Sequence, residues 1–543
     1  MLLSLPEEIL VQILKILNAS DRNARCRLVN QKLKSVIDSN IVLQASTECE
    51  LANMTLGKSN RITLPDLLAS LEERQNAWRT LRGLEEHSLP VYDENESILP
   101  MLGGDCSILC QTTSSGQLVL TQIPSKTRDI PFKTWTLDVE TDQLSDAAAD
   151  ARQDLLATAS VTSDDINRIT GVELQLLSIM TGAAHPAAQG VIPLADDLIG
   201  IMMCILRNGQ CDDVLVNHHW IYNWKTGEVK VEAWCGNDDQ ISNSTSFAFL
   251  SPEHVLIARF DWPSFRRVEL IVVNTRNPNR RGTFATIADA IFDLPELEPN
   301  AKCCHILIKK HAVPLNTAFN TRDCAFTHKQ ESRVISIDLL YTGSRGLHYQ
   351  YRLAIPAVAM LRCLSETFTA HPVVQEPSTD ASGIETIQPT AQDASHIPWR
   401  DWEREVRWVP VKRSLLFHSS TSQWLILETR TPYELKGHRS PIHGHTRALF
   451  VLVKYDFPTD NQMRRESALP PPPFDPSGPL ILIEVNYCKR EAVLADDLWA
   501  YQVNSAPYRQ TIFTTNVASV FRHFTLSYDI TEDALVLRNT EEP

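Results

Sequence analysis

Cysteine is sparse in this sequence, and its spacing does not form pairs. Twelve cysteines are spread over 543 residues, and no two of them stand in a C-x-x-C arrangement. A disulfide scaffold needs a higher density of cysteine, and zinc ribbons or redox motifs need cysteines paired at short spacing. The sequence therefore argues against these classes, and we expect the thiols to be reduced and buried.

Positive charge is also in short supply. Lysine and arginine total 51 against 66 aspartates and glutamates, which gives a formal net charge of −15. A negative chain without a compensating basic stripe is repelled by phosphate backbones and by anionic membrane surfaces. We therefore expect neither nucleic acid nor a membrane among the partners.

Long apolar runs are missing as well. The opening MLLSLPEEILVQILKIL is interrupted by Glu7, Glu8 and Lys15, and it has neither a basic start nor a small-residue cleavage site. No run reaches the roughly 20 apolar residues of a membrane-spanning helix. The sequence thus predicts a soluble intracellular protein, in the cytoplasm, the nucleus or both.

Common catalytic motifs are absent, since G-x-S-x-G, H-E-x-x-H and G-x-G-x-x-G do not occur. The stretch ANMTLGKS at residues 52–59 matches a relaxed phosphate-loop pattern, but a helical segment precedes it where a strand is needed, so chance explains it better. His438, His443 and His445 would suit zinc, yet no helix or strand fixes their spacing. We expect no enzyme activity, no catalytic residue, no cofactor and no metal site.

The sequence divides into a helical start and a β-rich remainder. Up to about residue 84 apolar residues recur at spacings of three and four, whereas from about residue 97 short β-rich runs alternate with turn residues. Predicted strands include Leu155–Val161, Ile199–Leu206, His254–Phe260, Val268–Asn274, Arg333–Tyr341, Ala448–Phe457 and Leu480–Tyr487. The predicted fold class is α plus all-β: an N-terminal three-helix module and a linker helix, then a large β-propeller-like domain.

Consecutive antiparallel strands joined by polar turns are predicted throughout the β-rich part. The segment Asp213–Ala233 predicts three strands, separated by an exposed turn at His218 and His219 and by a second turn at residues 225–228. Roughly 450 residues at about 45 to 65 per four-stranded unit correspond to about seven to ten units, which fits a β-propeller. Two polar stretches, near residues 375–396 and 464–479, are predicted to be disordered insertions.

The first helix is predicted to begin at Pro6. Proline is tolerated in a first helical turn, and Glu7 and Glu8 interact favourably with the positive end of the helix dipole. At 100° per residue the apolar side chains of this helix share an arc of about 160°. They are Ile9, Leu10, Ile13, Leu14, Ile16 and Leu17.

Two more short helices are predicted to follow. Asp21 is placed to cap the second helix, and the third runs through Asn30–Asp38. Their apolar positions are Leu28, Val29, Leu33, Val36 and Ile37. A bundle this small hides only around half to 60% of its unfolded surface, so part of the apolar surface is expected to contact a partner. Packing against the following helices is the alternative, and helix periodicity alone leaves both open.

The order of residues in this module resembles the F-box family. The resemblance covers residues 2 to about 42 and rests on Leu5-Pro6-Glu7-Glu8-Ile9-Leu10, Ile13-Leu14, Leu17, Asp21, Arg27-Leu28-Val29-Asn30-Gln31-Lys32-Leu33 and Val36-Ile37. It implies a three-helix module that binds the Skp adaptor of Skp, cullin, F-box ubiquitin ligases. Carried over position by position, it implies adaptor contacts at Leu5, Pro6, Ile9, Leu10, Ile13, Leu14 and Val29.

The sequence departs from the family pattern at two places. Residues 21–25 are more polar than the Asp-Leu-Leu type of stretch often found there, and Leu33 stands where an aromatic residue is frequent. A weaker grip on the adaptor is one expected consequence.

A longer helix is predicted after this module. Leu64, Leu67, Leu68, Leu71, Trp78 and Leu81 share an arc of about 140°, with Pro65 in the first turn. This helix and the strand-rich texture after it look like fungal F-box proteins whose C-terminal half is propeller-like. The predicted domains are an adaptor-binding module at 1–45, a helical linker at 46–90 and a β-propeller-like target-binding domain at 91–543.

The resemblance implies a binding protein rather than an enzyme. The N-terminal helices would bind the Skp adaptor and, through it, the cullin core, while the β domain would bind an unidentified protein target. The alternative is a β-propeller scaffold for protein assembly that has no ligase attached. A propeller hydrolase is a third class, and the sequence offers no recognisable residue set for it.

Overall fold

The structure is a computed structural model of the 543-residue chain. It describes residues 4–17, 21–52, 54–56, 63–80, 98–99, 108–112, 117–124, 131–139, 144–150, 154–163, 169–183, 194–195, 198–208, 213–234, 246–260, 265–276, 280–308, 326–328, 333–370, 394–410, 414–420, 423–430, 449–456, 480–488, 492–493, 503–504, 508–515, 527–530 and 535–538. His438, His443, His445 and the predicted insertion at 464–479 lie outside these residues, as does most of the predicted insertion at 375–396.

The described chain is mostly helical before residue 81. Its helices are α1 (Glu7–Ile16), a π-helical segment (Asp21–Cys26), α2 (Arg27–Val29), α3 (Gln31–Ser39), α4 (Ile41–Leu51) and α5 (Leu64–Thr80). Short helices also interrupt the β-rich part: α6 (Phe284–Ile287), α7 (Ala357–Ala370), α8 (Trp399–Trp402) and a 3-10 turn (Glu403–Glu405). The predicted helical start is confirmed. Among the described helices, none combines the length and the apolar character needed to cross a membrane.

The rest of the described chain is built almost entirely from strands. The first half contains β1 (Met54–Leu56), β2 (Ile98–Leu99), β3 (Ile108–Thr112), β4 (Leu118–Gln122), β5 (Lys133–Leu137), β6 (Leu144–Asp150), β7 (Leu155–Ser163), β8 (Ile169–Ser178), β9 (Leu194–Ala195), β10 (Leu198–Asn208), β11 (Asp213–Asn223), β12 (Glu228–Trp234), β13 (Ser246–Ser251), β14 (His254–Phe260), β15 (Val268–Asn274) and β16 (Arg280–Thr283). The second half contains β17 (Ala290–Asp293), β18 (Lys302–Ile308), β19 (Phe326–His328), β20 (Val334–Thr342), β21 (His348–Pro356), β22 (Ser395–Ile397), β23 (Arg407–Pro410), β24 (Ser414–Ser420), β25 (Gln423–Arg430), β26 (Leu449–Asp456), β27 (Leu480–Cys488), β28 (Ala492–Val493), β29 (Val503–Asn504), β30 (Tyr508–Thr515), β31 (Ser527–Ile530) and β32 (Leu535–Arg538).

Strands that follow one another along the chain pair into separate, mainly antiparallel sheets. Their orders are β2-β3-β4-β5 (sheet 1), β6-β7-β8 (sheet 2), β9-β10-β11-β12-β16 (sheet 3), β13-β14-β15-β17-β22 (sheet 4), β18-β20-β21-β23 (sheet 5) and β24-β25-β26-β30-β27 (sheet 6). The predicted succession of antiparallel strands is confirmed, and β14 and β15 have the predicted bounds. Two outer strands, β16 and β22, come from later in the chain and add in parallel to sheets 3 and 4.

Sheets 1 to 5 stack face to face in chain order. Four apolar clusters fill the spaces between neighbours, and each takes side chains from two successive sheets: Leu120 with Leu156, Ala157 with Ile199, Ile221 with Phe249, and Leu256 with Ile337 are examples. A stack of short meanders, each buried on both faces, is the packing of propeller blades. The described residues thus agree with the predicted fold class, a helical N-terminus followed by a large all-β, propeller-like region.

The strand period of two explains how one strand serves two clusters. Successive side chains of a strand point to opposite faces of its sheet. In β7, Leu156 faces the cluster shared with sheet 1, whereas Leu155 and Ala157 face the cluster shared with sheet 3. Strands buried on both faces need near-continuous apolar sequences rather than a polar and apolar alternation. β14 (HVLIARF) and β15 (VELIVVN) have sequences of this kind.

The turn predicted at His218 and His219 is wrong, because β11 runs through both residues. They pair with β12 at Trp234 and Ala233, and the His219 ring is buried. This ring makes edge contacts with Phe247 and Phe284, with centroids 5.3 and 5.0 Å away. A neutral imidazole packs among aromatic rings as a flat apolar group, so two adjacent histidines do not by themselves mark a turn.

The second turn predicted in this segment is confirmed. The Asn223 Oδ1 atom accepts hydrogen bonds from the backbone N–H groups of Lys225 and Thr226, at 3.1 and 3.0 Å. Gly227 takes a positive φ of 70°, which a residue with a Cβ rarely adopts. The asparagine and the glycine together close the connection between β11 and β12.

A buried ion pair joins two adjacent strands of sheet 5. Asp338 of β20 and Arg352 of β21 are directly opposite each other, and both side chains are buried. The carboxylate accepts from Arg352 Nε and Nη2 at 2.5 and 3.0 Å, which is a two-point contact. Because the pair is desolvated, each charge depends on the other.

We expect Asp338→Leu to lower the free energy of unfolding by about 3–5 kcal/mol, because it leaves the Arg352 charge buried without its carboxylate. The double variant Asp338→Leu with Arg352→Met should recover most of that loss, since it removes both charges together. Urea unfolding followed by tryptophan fluorescence measures both, because Trp408 packs on Tyr351 on the other face of the same sheet. Equal losses in the single and double variants would contradict this assignment.

Because His219 is buried, we expect the free energy of unfolding to depend on pH. Burial, together with the neighbouring His218, lowers the pKa of His219 from 6.5 to about 3. As the pH falls, the unfolded chain therefore binds a proton at this residue near pH 6.5, whereas the folded chain binds it only near pH 3. The contribution of His219 to the free energy of unfolding is thus fully present above pH 6.5 and is lost progressively as the pH drops below that value. We expect a loss of about 2 kcal/mol between pH 7 and pH 5 from this residue.

His219→Leu should flatten that part of the pH profile. The measurement is the free energy of unfolding of the wild type and of the variant, each at pH 7 and at pH 5. His305→Gln is the matched control, because it removes an imidazole that is exposed rather than buried. An unaltered profile in His219→Leu would show that this residue takes up its proton in the folded state.

Candidate partner-binding site

The first helix of the N-terminal module begins where its sequence predicts, directly after Pro6. Pro6 precedes α1 with an extended ψ of 152°, and its carbonyl accepts from Leu10 N at 3.1 Å. Glu7 and Glu8 occupy the first turn and Lys15 the last turn, where each charge suits the helix dipole. Leu17 has extended backbone and ends the helix.

One face of α1 is buried in a small core. Leu10, Val11 and Leu14 pack there, and α3 and α4 supply the opposing side chains. The opposing residues are Leu33, Val36, Ile37 and Leu43. Burial of a leucine side chain contributes roughly 1.5–3 kcal/mol, so this face holds α1 against the other helices. The core uses only part of the apolar arc of α1.

Two asparagines set the starts of the helices that receive α1. The Asn30 Oδ1 atom accepts from the backbone N–H groups of Lys32 and Leu33 at 2.8 and 3.3 Å, and Asn40 makes the same bonds to Val42 and Leu43 at 3.1 and 3.2 Å. Such caps satisfy N–H groups that the first helical turn leaves without partners. The chain therefore turns sharply between α2, α3 and α4.

Arg22 lies in the polar stretch that departs from the family pattern. Its side chain is buried, donates to Ser46 Oγ at 3.3 Å and reaches Glu50 Oε2 at 3.1 Å. Burial lowers the pKa of Arg22, and the Glu50 carboxylate partly offsets that effect. Sequence reasoning missed this contact, because nothing in the local pattern links Arg22 to residues 24 and 28 positions later.

The structure divides the seven predicted adaptor contacts into three groups. Pro6, Ile9 and Val29 are exposed, with Ile9 at 47% and Val29 at 80%. Leu5 and Ile13 are half-buried. Leu10 and Leu14 are at most 2% exposed and belong to the core beneath the surface. Ile9 and Ile13 are thus available at least in part, while Leu10 and Leu14 support the helix from below.

Two large apolar side chains outside the predicted contact set are also exposed. Ile16 at the end of α1 is 85% exposed, and Leu28 of α2 is 78% exposed. The periodicity placed both among the apolar positions of the module, and only the packing shows that they face outward. Exposed apolar side chains on one small module favour a contact with another protein.

A protein-family model of the F-box domain matches residues 2–44. The matched range contains α1, the π-helical segment, α2 and α3, and it ends inside α4. No curated protein matches the chain. The described residues also hold no group of three or more histidine, cysteine, aspartate or glutamate side chains arranged to bind a metal.

Solved structures show only distant likeness. An uncharacterized protein from Listeria monocytogenes EGD-e is 10% identical, with 50% of this chain and 70% of that chain covered and a TM-score of 0.25. The WD40 domain of SCAP from fission yeast is 9% identical, with 78% and 97% covered and a TM-score of 0.25. The tricorn protease is 10% identical, with 74% and 34% covered and a TM-score of 0.19. Superpositions this weak do not establish a common fold.

The division of α1 into a buried and an exposed face predicts opposite effects for neighbouring substitutions. Ile9→Asp and Val29→Asp should each change the free energy of unfolding by less than about 0.5 kcal/mol, because these side chains already contact water. Leu10→Asp and Leu14→Asp should unfold the module, because they place a charge in its core. Circular dichroism during heating measures both, and a large destabilisation by Ile9→Asp would contradict the assignment.

The helix order and the capping pattern agree with the family match. α1 begins directly after the predicted proline, and two asparagine caps start the helices α3 and α4. The apolar surface left outside the core lies on α1 and α2, both within the matched residues. The chain therefore carries an F-box domain at residues 2–44.

Proposed function

We propose that this protein is a substrate-receptor subunit of a Skp, cullin, F-box ubiquitin ligase. The F-box domain implies an adaptor role, in which the domain binds the Skp adaptor and thereby reaches the cullin core. The observation that carries the proposal is the family match at residues 2–44, together with the exposed apolar side chains of Ile9 and Val29 in that range.

The proposed contact surface consists of Leu5, Pro6, Ile9, Ile13 and Val29, with Leu10 and Leu14 holding α1 in place beneath it. Large aliphatic side chains that are half or more exposed in the free protein release ordered water when a partner covers them. The loss of a central anchor of this kind typically costs about 2 kcal/mol or more of binding free energy. Exposed Ile16 and Leu28 extend the apolar surface on the same two helices.

The receptor needs no bond chemistry of its own. A target held on the β region is brought near the loaded conjugating enzyme, and the raised effective concentration of its lysines accelerates transfer. The stacked sheets supply a rigid support for loops that bind a protein target. We propose that this takes place in the cytoplasm, the nucleus or both.

The proposal is tested by capture of the Skp adaptor on the immobilised full chain. We expect the double variant Ile9→Asp with Val29→Asp to weaken capture by at least about 30-fold, since two exposed apolar side chains that the adaptor would cover become charged. Gln12→Asp is the matched control, because it adds the same charge to an exposed polar position of α1 and should capture normally.

Three outcomes are informative. Capture by the wild type and by Gln12→Asp but not by the double variant supports the receptor role. Undiminished capture by a folded double variant would show that the adaptor binds elsewhere. Failure of the wild type to capture the adaptor would overturn the proposal and favour a scaffold without a ligase.

A further inference from the structure

Arg333 carries a positive charge into the apolar interior of the β region. It lies directly before β20, its side chain is 3% exposed, and the strand period of two places it on the same face as Ile335 and Ile337, which pack between sheets 4 and 5. Burial lowers the pKa of Arg333 to about 10, and no carboxylate of the described residues offsets this effect. A charge that is buried without an opposite charge is strongly unfavourable.

The guanidinium of Arg333 uses one of its three nitrogens within the described chain. Nη1 donates to the carbonyl of Leu250, near the end of β13, at 3.4 Å. Nε and Nη2 are buried, and no described residue accepts a hydrogen bond from either of them. The N–H groups of Nε and Nη2 in one guanidinium point the same way, and together they form a fork that binds the two oxygens of a carboxylate side by side.

Arg352 of the same sheet shows which group such a fork binds. Its Nε and Nη2 donate to the two carboxylate oxygens of Asp338, at 2.5 and 3.0 Å. Asp338 does not serve Arg333 as well, because residues 333 and 338 project to opposite faces of the sheet. The same pair of donors is therefore neutralised in Arg352 by a carboxylate, whereas in Arg333 the described chain supplies none.

The first turn of α7 adds positive potential close to Arg333. The first N–H group of this helix, that of Ala357, donates to the Arg333 carbonyl at 2.9 Å, and Ala357 shares an apolar cluster with Leu250. α7 has 14 residues and no acidic residue in its first turn, so no side chain there offsets the positive end of its dipole. Val358 in the same turn is 41% exposed, which places this end of the helix at the surface. A small ligand thus has a short way to the guanidinium.

We propose that the Arg333 fork and the N-terminal end of α7 bind the carboxylate group of a small free acid. A planar anion with two oxygens matches the two N–H groups of the fork, and its single charge neutralises the guanidinium. A doubly charged phosphate would carry a second charge out of water, which is costly in an apolar cluster. The inference concerns the β region alone, so it holds whether or not the F-box domain binds the Skp adaptor.

The experiment measures thermal unfolding of the full chain while sodium formate replaces sodium chloride at constant ionic strength. Tryptophan fluorescence follows the unfolding, since Trp399 and Trp402 belong to the same apolar cluster as Leu250. We expect formate to raise the melting temperature of the wild type saturably, by about 2 °C, because it binds only the folded chain. Arg345→Met is the matched control: it removes the same charge from an exposed turn and should respond to formate as the wild type does.

Arg333→Met should lose the response to formate. Without formate it should melt at or above the temperature of the wild type, because it removes a buried charge that has no opposite charge. If this variant does not fold, Arg333→Lys decides, since it keeps the charge but lacks the fork and should respond less than the wild type.

Three results would overturn the proposal. One is a wild type without a saturable response to formate. Another is an undiminished response in Arg333→Met or in Arg333→Lys. The third is a folded Arg333→Met variant that melts below the wild type without formate, because a carboxylate of the chain itself would then neutralise Arg333.

Discussion

Burial on two opposite sides is the constraint on which this structure depends. A central strand that carries apolar residues on both faces has to be covered on both, and the neighbouring sheet along the chain is the element available to cover it. In sheets 1 to 5 an apolar cluster fills each space between neighbouring sheets, so sheets 2 to 4 are covered by a sheet on both faces. Helix α4 meets it too, with Leu43 on one side and Ala45 on the other. The helical start and the β region are thus organised by the same rule.

The F-box domain is where that rule is left incomplete. Its core covers Leu10 and Leu14, while Ile9, Leu28 and Val29 remain outside. A module of about 40 residues has too little interior to hide every apolar side chain of an amphipathic helix. These exposed side chains form an apolar surface that a partner can cover, and the core beneath holds that surface in place. The proposed adaptor contact follows from this division of α1.

Several polar groups in the interior are held by specific partners. Arg352 and Asp338 face each other across two strands, and Arg22 reaches the far half of α4. These bonds contribute orientation more than net stability, because desolvation offsets most of the attraction between buried charges. His219, in contrast, is neutral and packs among aromatic rings, because burial lowers its pKa to about 3. Each of these groups makes the register of its elements harder to change.

Local residue patterns account for the helices, for many of the strands and for the F-box resemblance of the N-terminal module. Helix periods located α1 and α5, strand-like runs located β14 and β15 with their bounds, and the Leu5-Pro6-Glu7-Glu8 opening identified the F-box resemblance. These properties depend on residues within a few positions of one another, so periodicity and turn chemistry carry them. Long-range packing and pairing account for the inward position of Leu10 and the outward position of Ile9, for the place of His219 inside a strand, and for the pairing of β1 with β19. Such choices depend on partners tens to hundreds of positions away, and those partners leave no trace in the local pattern.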